Sequence, residues 1–346
     1  MILFSWNELP TYGAKLIGIA AAATKEKVCV IATRPKVPVA DLEKICGVPI
    51  VWVDKDDKID IKDHFSEIPS IYFQAGWYVN AFTSIGSSLR ALDVSVVLLS
   101  DNSYKPNVRQ LLGRLYFRFF LKRNFNAVWV PGESGRRFML NNGVSRECIF
   151  DGLYGSDERI FVPVVSAENR EKVIVFAGRL VVEKGVEDLL EAFESLPSDC
   201  DQWRLEIYGN GPLLGKIVEN ERIKVSKFLS AEELAKRMGS VKIFCLPSHA
   251  DHWPLVINEA ALAGCGLLVS DAVGNSSEFC RSQNSIIYRA KDVEALKSAL
   301  VELIEKTEME PELVVQCSRD LGLKFDRNYF PSQFMKIINK KRVVRL

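Results

Sequence analysis

The sequence predicts an α/β protein of two doubly wound parallel-sheet domains. Three observations predict it. Short apolar, β-rich runs alternate with stretches of helical periodicity, and the alternation occurs twice along the chain. At 346 residues the chain exceeds one ordinary domain. Between Tyr154 and Arg170 the pattern is interrupted by Gly155, Ser156, Pro163 and Ser166, as a linker would be. The expected division is a first domain over 1–160 and a second over 161–326. A stretch of helical pattern follows them, from Asp326 to Leu346.

In the first half the expected strands are Ile2 to Ser5, Val28 to Ala32, Ile50 to Val53, Ser70 to Phe73, Val94 to Leu99 and Ala127 to Pro131. Such continuous apolar runs suit strands covered on both faces, as in a parallel sheet. Helical spacing fits Tyr12 to Thr24, Val39 to Cys46, Val79 to Leu92, Asn107 to Arg123 and Ser134 to Asn142. In the second half, strands begin at or near Val173, Arg204, Ile223, Lys242 and Leu267. No repeat of solenoid length and no low-complexity stretch appears.

Composition excludes several classes. Apolar residues make up 48% and charged residues 26%, an ordinary globular mix. No run of apolar residues is long enough to span a membrane. The start, Met1-Ile-Leu-Phe-Ser-Trp6, lacks the basic region and cleavage site of a secretion signal. Eight cysteines without a C-x-x-C pair, several inside apolar runs, read as reduced core residues of a cytoplasmic protein. Residues 1–155 hold 19 basic and 15 acidic side chains, the rest 26 and 29, too even a balance to argue for nucleic acid. His249 and His252 beside Asp251 suggest a metal, but a zinc site wants three or four ligands and no further cluster is apparent. No metal and no cofactor are expected.

Two segments carry chemistry. In Leu246-Pro-Ser-His-Ala-Asp251-His-Trp-Pro254-Leu255-Val256-Ile-Asn-Glu259-Ala-Ala-Leu-Ala-Gly264, a buried strand ends, a polar loop follows and a helix starts near Pro254. A helix N-terminus offers free amides and partial positive charge, which suit a diphosphate. Asp251 and Glu259 flank it, and carboxylates accept hydrogen bonds from sugar hydroxyls. An acid near a helix start serves equally as a cap. In Lys172-Val-Ile-Val-Phe-Ala-Gly178-Arg179-Leu-Val-Val-Glu-Lys184-Gly-Val186, a strand gives way to a loop carrying Arg179 and Lys184. Ligands of parallel sheets collect at the carboxyl ends of strands. Two cations there could neutralise two phosphates, although most Lys and Arg are simply solvated.

Taken with Tyr208-Gly209-Asn-Gly-Pro212, Leu246-Pro-Ser248 and Ala263-Gly…Ser270-Asp271, these motifs resemble, in order, those of family 4 glycosyltransferases. The resemblance is close over 172–300 and loose before it. It implies the GT-B fold, with two Rossmann-like domains facing across a cleft and a C-terminal helix at 327–346 packing back on the first. It implies retaining, metal-independent transfer of a hexosyl type, from a UDP- or GDP-type nucleotide sugar to a glycan or lipid-linked hydroxyl in polysaccharide or lipopolysaccharide assembly. By the same resemblance Arg179 and Lys184 bind the diphosphate, Glu259 the ribose, and Asp251 the transferred sugar. Pro254, Leu255 and Val256 form the helix start at the donor, Gly209 opens the turn after the second strand, and Phe228 and Leu229 reach the base.

The chain departs from the family pattern in places. Asp251 stands where Glu is usual, Pro254 where Gly is usual, and Gly266 where Pro is frequent. Pro254 lacks an N–H, so one donor is lost there. These departures keep a non-catalytic nucleotide-sugar-binding protein open as an alternative. A nucleotide-sugar epimerase fits the paired cations and acids poorly.

The acceptor half is less informative. Gly13 is the best candidate for a glycine turn against the donor phosphates, since glycine lets a backbone come close. Gln74, Trp77, Asp101 and Asn102 follow strand ends and are candidate acceptor contacts, with Asp101 orienting the acceptor hydroxyl. Asp101 as a helix cap and Trp77 as core remain equal alternatives. Arg114-Leu-Tyr-Phe-Arg118-Phe-Phe-Leu-Lys122-Arg123 carries cations and aromatics with no acid, and 336–346 is likewise basic. Each reads either as a helix with a charged outer face or as a peripheral contact with the inner face of the membrane.

Overall fold

The computed structural model describes residues 1–35, 41–102 and 108–340. The chain packs as two units, Met1–Tyr154 with the described part of Asn328–Leu346, and Gly155–Arg327.

The first unit is built on seven strands, β1 (Ile2–Trp6), β2 (Val28–Ala32), β3 (Ile50–Trp52), β4 (Ile71–Ala75), β5 (Ser95–Leu99), β6 (Ala127–Trp129) and β7 (Ile149–Phe150). All neighbours are parallel, in the order β3-β2-β1-β4-β5-β6-β7. The order reverses between β1 and β4, so the loops after these two strands open a crevice. Every residue of β1, β2 and β4 is buried, which explains their unbroken apolar runs. The connecting helices are α1 (Thr11–Ala23), α2 (Leu42–Cys46), α3 (Ile61–His64), α4 (Asn80–Ala91), α5 (Val108–Tyr116) and α6 (Glu133–Asn141). The expected helix starts at Val39 and Asn107 lie outside the described residues. α5 runs on through a wide turn at Phe117–Leu121 and a tight one at Lys122–Asn124.

The second unit carries β8 (Glu171–Ala177), β9 (Arg204–Tyr208), β10 (Ile223–Ser226), β11 (Val241–Leu246), β12 (Gly266–Ser270) and β13 (Ser285–Tyr288), all parallel, in the order β10-β9-β8-β11-β12-β13. Its helices are α7 (Val186–Glu194), α8 (Ala231–Met238), α9 (Leu255–Leu262), α10 (Ser276–Phe279), α11 (Val293–Met309) and α12 (Pro311–Gly322). The reversal falls between β8 and β11. Beneath the sheet, Arg170 is 4% exposed and donates to the carbonyls of Met238, Val241 and Ala263. Two of these close the C-terminal ends of α8 and α9, where the helix dipole is negative, so the buried cation needs no carboxylate.

The last helix, α13 (Tyr329–Asn339), returns to the first unit. Phe330 stacks on Trp129 at 4.9 Å, and Phe334 lies 5.6 Å from Phe73 and 6.1 Å from Phe4. Such ring pairs add about 0.5–1.5 kcal/mol each beyond their buried area. Gly152 has φ +88°, and a Cβ there would sit 2.5 Å from Gln333 Cγ, so glycine lets α13 dock. The basic residues Lys341, Arg342 and Arg345 lie outside the described residues.

Candidate active site

In the second unit the loops after β8 and β11 converge at the reversal. Gly178 donates its amide to Tyr208 O (3.0 Å) and Leu180 its amide to Asn210 O (2.9 Å), tying the start of the Arg179 loop to the turn after β9. Gly209 closes that turn: a Cβ on it would meet Gly178 O at 2.0 Å. Gly185, with φ +67°, starts α7 where a Cβ would lie 2.1 Å from Pro247 O. The β8 and β11 loops therefore touch backbone to backbone, and His249 N–H donates to Glu183 O at 2.8 Å.

This contact brings Lys184 onto Asp251. Lys184 Nζ donates to Asp251 Oδ2, with side chains only 16% and 14% exposed. Asp251 is itself held at both backbone ends: its N–H donates to Ala272 O (3.2 Å) and its carbonyl accepts from Gly274 N (2.8 Å). Arg179 is exposed and makes no ion pair among the described residues. His249 Nε2 lies 2.8 Å from Asp188 Oδ2, so this histidine lines the loop through a carboxylate partner. Among the described residues no three His, Cys, Asp or Glu side chains converge as a metal site.

Pro254 is the residue before α9 (φ −70°, ψ 112°), and the helix proper starts at Leu255. Asn275 Nδ2 donates to Pro254 O at 3.0 Å, fixing the helix start. Leu255 and Val256 stand half-buried at the first turn, and Glu259 is half-buried about one turn on. Phe228 is 56% exposed beyond the edge strand β10, with Leu229 beside it.

In the first unit a cavity of about 520 Å³ opens at the other reversal, between the loops after β1, β4 and β5. Trp77, Asp101 and Asn102 line it, as do Trp6, Tyr12 and Tyr154. Tyr154 O–H donates to Asp101 Oδ2 at 3.5 Å, and the Tyr12 and Tyr154 rings meet edge to face at 5.9 Å. Burial, reinforced by the Asp101 charge, pushes the Tyr12 phenol up to about 12 and holds Tyr154 well above the ordinary tyrosine range. Both phenols therefore stay protonated as donors. Asn102 Nδ2 donates to Ser100 Oγ at 3.2 Å.

Two expected contact residues lie inside secondary-structure elements of the first unit. Gly13 lies buried in the first turn of α1, where a Cβ would press on Trp6 Cε2 at 3.0 Å; it serves helix packing and forms no turn. Gln74 is 1% exposed inside β4, because that strand continues to Ala75, and its Oε1 faces Gly86. The pairing of Lys184 with Asp251, the Asn275 brace and the two tyrosines escaped the sequence. An Asn after a Gly at a strand's end (Gly274-Asn275) was the one available signal for the brace.

Residues 158–316 match the model of the family "Glycosyl transferases group 1", so that stretch carries a group 1 domain. The chain has the GT-B fold, two Rossmann-like parallel-sheet units. It is similar to an N-acetylgalactosaminyltransferase of Campylobacter jejuni that acts on diacetylbacillosaminyl-diphospho-undecaprenol (20% identity over 69% of this chain and 67% of that protein). It is also similar to an MMP alpha-(1->4)-mannosyltransferase of Mycolicibacterium hassiacum (27%, over 58% and 51%). The chain spans about half the length of the curated relatives it matches. Among solved structures, Anabaena Alr3699/HepE in complex with UDP superposes with a TM-score of 0.79 at 14% identity, over 98% of this chain and 99% of that one. The lipopolysaccharide outer core galactosyltransferase WaaB gives 0.73 at 14%, over 99% and 100%.

Proposed function

We propose that the chain is a retaining glycosyltransferase that moves a hexosyl group from a nucleotide-diphosphate sugar of UDP or GDP type to a hydroxyl of a glycan or lipid-linked acceptor. The observation that carries this reading is the pairing of Lys184 with Asp251 beside the α9 N-terminus at the strand reversal of the second unit, where parallel sheets bind ligands. A UDP complex of a protein with the same fold, and relatives in glycan assembly, support it.

Arg179, Lys184 and the amides of Leu255 and Val256 would hold the diphosphate. Their positive charge would stabilise the leaving group as it departs, the task a metal performs in other transferases. Glu259 would accept hydrogen bonds from the ribose hydroxyls, and Phe228 and Leu229 would flank the base. Asp251 would bind the transferred sugar. In the first unit, Trp77 would stack on an acceptor sugar while Asp101, held by Tyr154, orients the attacking hydroxyl. The bond between sugar C1 and the phosphate oxygen breaks, the acceptor oxygen bonds to C1 on the same face, and the acceptor proton passes to the departing phosphate oxygen. The relatives in polysaccharide and lipopolysaccharide assembly suggest a surface glycan as product.

The test is Glu259→Ala, assayed for nucleotide release and for transfer to added acceptor. Transfer should fall at least ~100-fold, on the scale of losing a positioning contact, with the fold intact by circular dichroism. Unchanged turnover would overturn the assignment. Tight nucleotide binding with no turnover in the parent chain would favour a binding protein instead.

A further inference from the structure

We propose that the helical segment from Leu111 to Arg123 is a docking surface for an anionic lipid bilayer. Leu111, Leu115 and Phe119 form one row at a spacing of four residues, and Leu112, Tyr116 and Phe120 form the row beside it. All six are between 47% and 66% exposed. Solvent-facing helix residues are ordinarily polar, and scattered single exceptions need no explanation, but a contiguous apolar stripe two rows wide does. Tyr116 and Phe120 stack at 5.5 Å, so the rings of the stripe are already ordered.

The opposite face anchors the segment. Phe117 and Leu121 are buried in the core, and Lys122 Nζ donates to Gly143 O at 2.6 Å. The wide turn at Phe117–Leu121 continues the same helical path, so the stripe is held rigid against the first unit.

Charge selects the occupant. From Asn102 to Gly132 the sequence contains no Asp or Glu. Arg118 and Arg123 are exposed and Arg114 is half-exposed, close in sequence to the apolar rows. A second protein would cover the leucines but leave this one-sign fringe unanswered. A bilayer with anionic headgroups accepts rings and leucines at the acyl boundary and arginines at the phosphates. The anchored face also meets the first-unit cavity: Phe117 lies edge to face with Trp77, a lining residue, at 6.4 Å. A docked membrane would thus present lipid-linked glycans beside that cavity.

The experiment is co-sedimentation of the full chain with vesicles of phosphatidylcholine, with and without about one third phosphatidylglycerol. Binding should appear with the anionic vesicles, weaken as salt rises, and be slight with phosphatidylcholine alone. The double variant Phe119→Ser/Phe120→Ser should lose roughly tenfold or more, the scale of burying an aromatic side chain. Arg114→Gln/Arg118→Gln, which spares every apolar contact, should lose several-fold per charge, about fivefold each. UDP binding is measured in the same samples, since the second unit is untouched by these changes. Failure of docking with nucleotide binding intact therefore leaves the proposed chemistry standing. No binding to anionic vesicles, or binding that neither variant reduces, would overturn the proposal. So would a concentration-dependent dimer, abolished by the double variant, in a chain that ignores vesicles.

Discussion

Lys184 and Asp251 hold each other in an ion pair, yet the proposed chemistry assigns one to the diphosphate and the other to the sugar. The two roles can be separated with UDP, which has the diphosphate but no sugar. At an ordinary hydrogen-bond distance of ~3 Å and an effective dielectric near 20, the pair's gross attraction is about 5 kcal/mol. Desolvation and the cost of fixing both chains reduce the net coupling of such partly buried pairs to about 1–3 kcal/mol. The side chains' 16% and 14% exposure places them in that regime. UDP must draw Lys184 away from Asp251 and forfeits part of this coupling. Asp251→Asn removes the competitor, and UDP should bind about tenfold tighter, worth about 1.4 kcal/mol. Lys184→Met removes the recipient, and UDP should bind at least ~tenfold weaker. The double variant should resemble Lys184→Met, because no cation remains for Asp251 to hold. Isothermal titration at fixed ionic strength reads all four affinities, after a thermal-shift comparison of UDP and GDP chooses the nucleotide. If Lys184→Met leaves the affinity within about twofold, or Asp251→Asn weakens it equally, Lys184 is no diphosphate ligand and the ion pair is only structural.

Two further outcomes follow from the packing. Arg170→Leu should destabilise the chain by about 2–4 kcal/mol in urea titration, because the buried carbonyls of Val241 and Ala263 lose the guanidinium and that of Met238 keeps only the Cys265 thiol; a loss under ~1 kcal/mol would mean that water replaces the guanidinium. Burial pushes the thiols of Cys46 and Cys265 up to about 11 and that of Cys280 up to about 12. Their contribution to stability is whole below the unfolded thiol range near 9. It is lost as pH rises from there through 11 to 12, since the unfolded chain ionises first. Denaturation midpoints should therefore fall across that window. At neutral pH, Cys317, half-buried where the other seven are buried, should be the thiol that reacts first with a disulfide reagent.

The two sheets were legible because their central strands are buried on both faces. Val28–Ala32 is wholly buried, and its expected bounds coincide with the observed ones. Two of the four outermost strands were not: β7 has two residues, and β13 has buried ends around partly exposed Ile286 and Ile287, as a strand with one free edge does. Charged site residues were legible where a single loop carries them, since Arg179 and Lys184 follow one strand and Asp251 another. Their pairing was not, because 67 residues separate Lys184 from Asp251 and the loops are joined by the touch of Gly185 against Pro247 and the His249-to-Glu183 backbone bond. Gly13 sits within the first turn of a helix because glycine serves close packing as well as turns, and here it fits under the Trp6 ring. Gln74 misled by a shift of two residues in where β4 ends, which turns a rim residue into an interior one.

Pro254 raised the question of whether the proposed anion site keeps its amides, and the geometry bears on it through its neighbour. The proline stands one place outside α9, so the amides of Leu255 and Val256 at the first turn are kept. The proline's carbonyl accepts from Ile257 N–H at 3.3 Å and from Asn275 Nδ2 at 3.0 Å, a residue with 0% exposure. The same loop holds Asp251 through Ala272 and Gly274, so one segment orients both the acid and the helix start. Pre-organisation then resides in Asn275 more than in residue 254. Asn275→Ala should reduce kcat about tenfold or more by letting α9 and Asp251 drift, while Pro254→Ala, which restores an amide and keeps the carbonyl, should change it less than about threefold. The comparison is made at saturating donor, with unfolding followed in parallel to separate drift from collapse. Equal losses in the two variants would place the determinant in the proline ring and refute the brace.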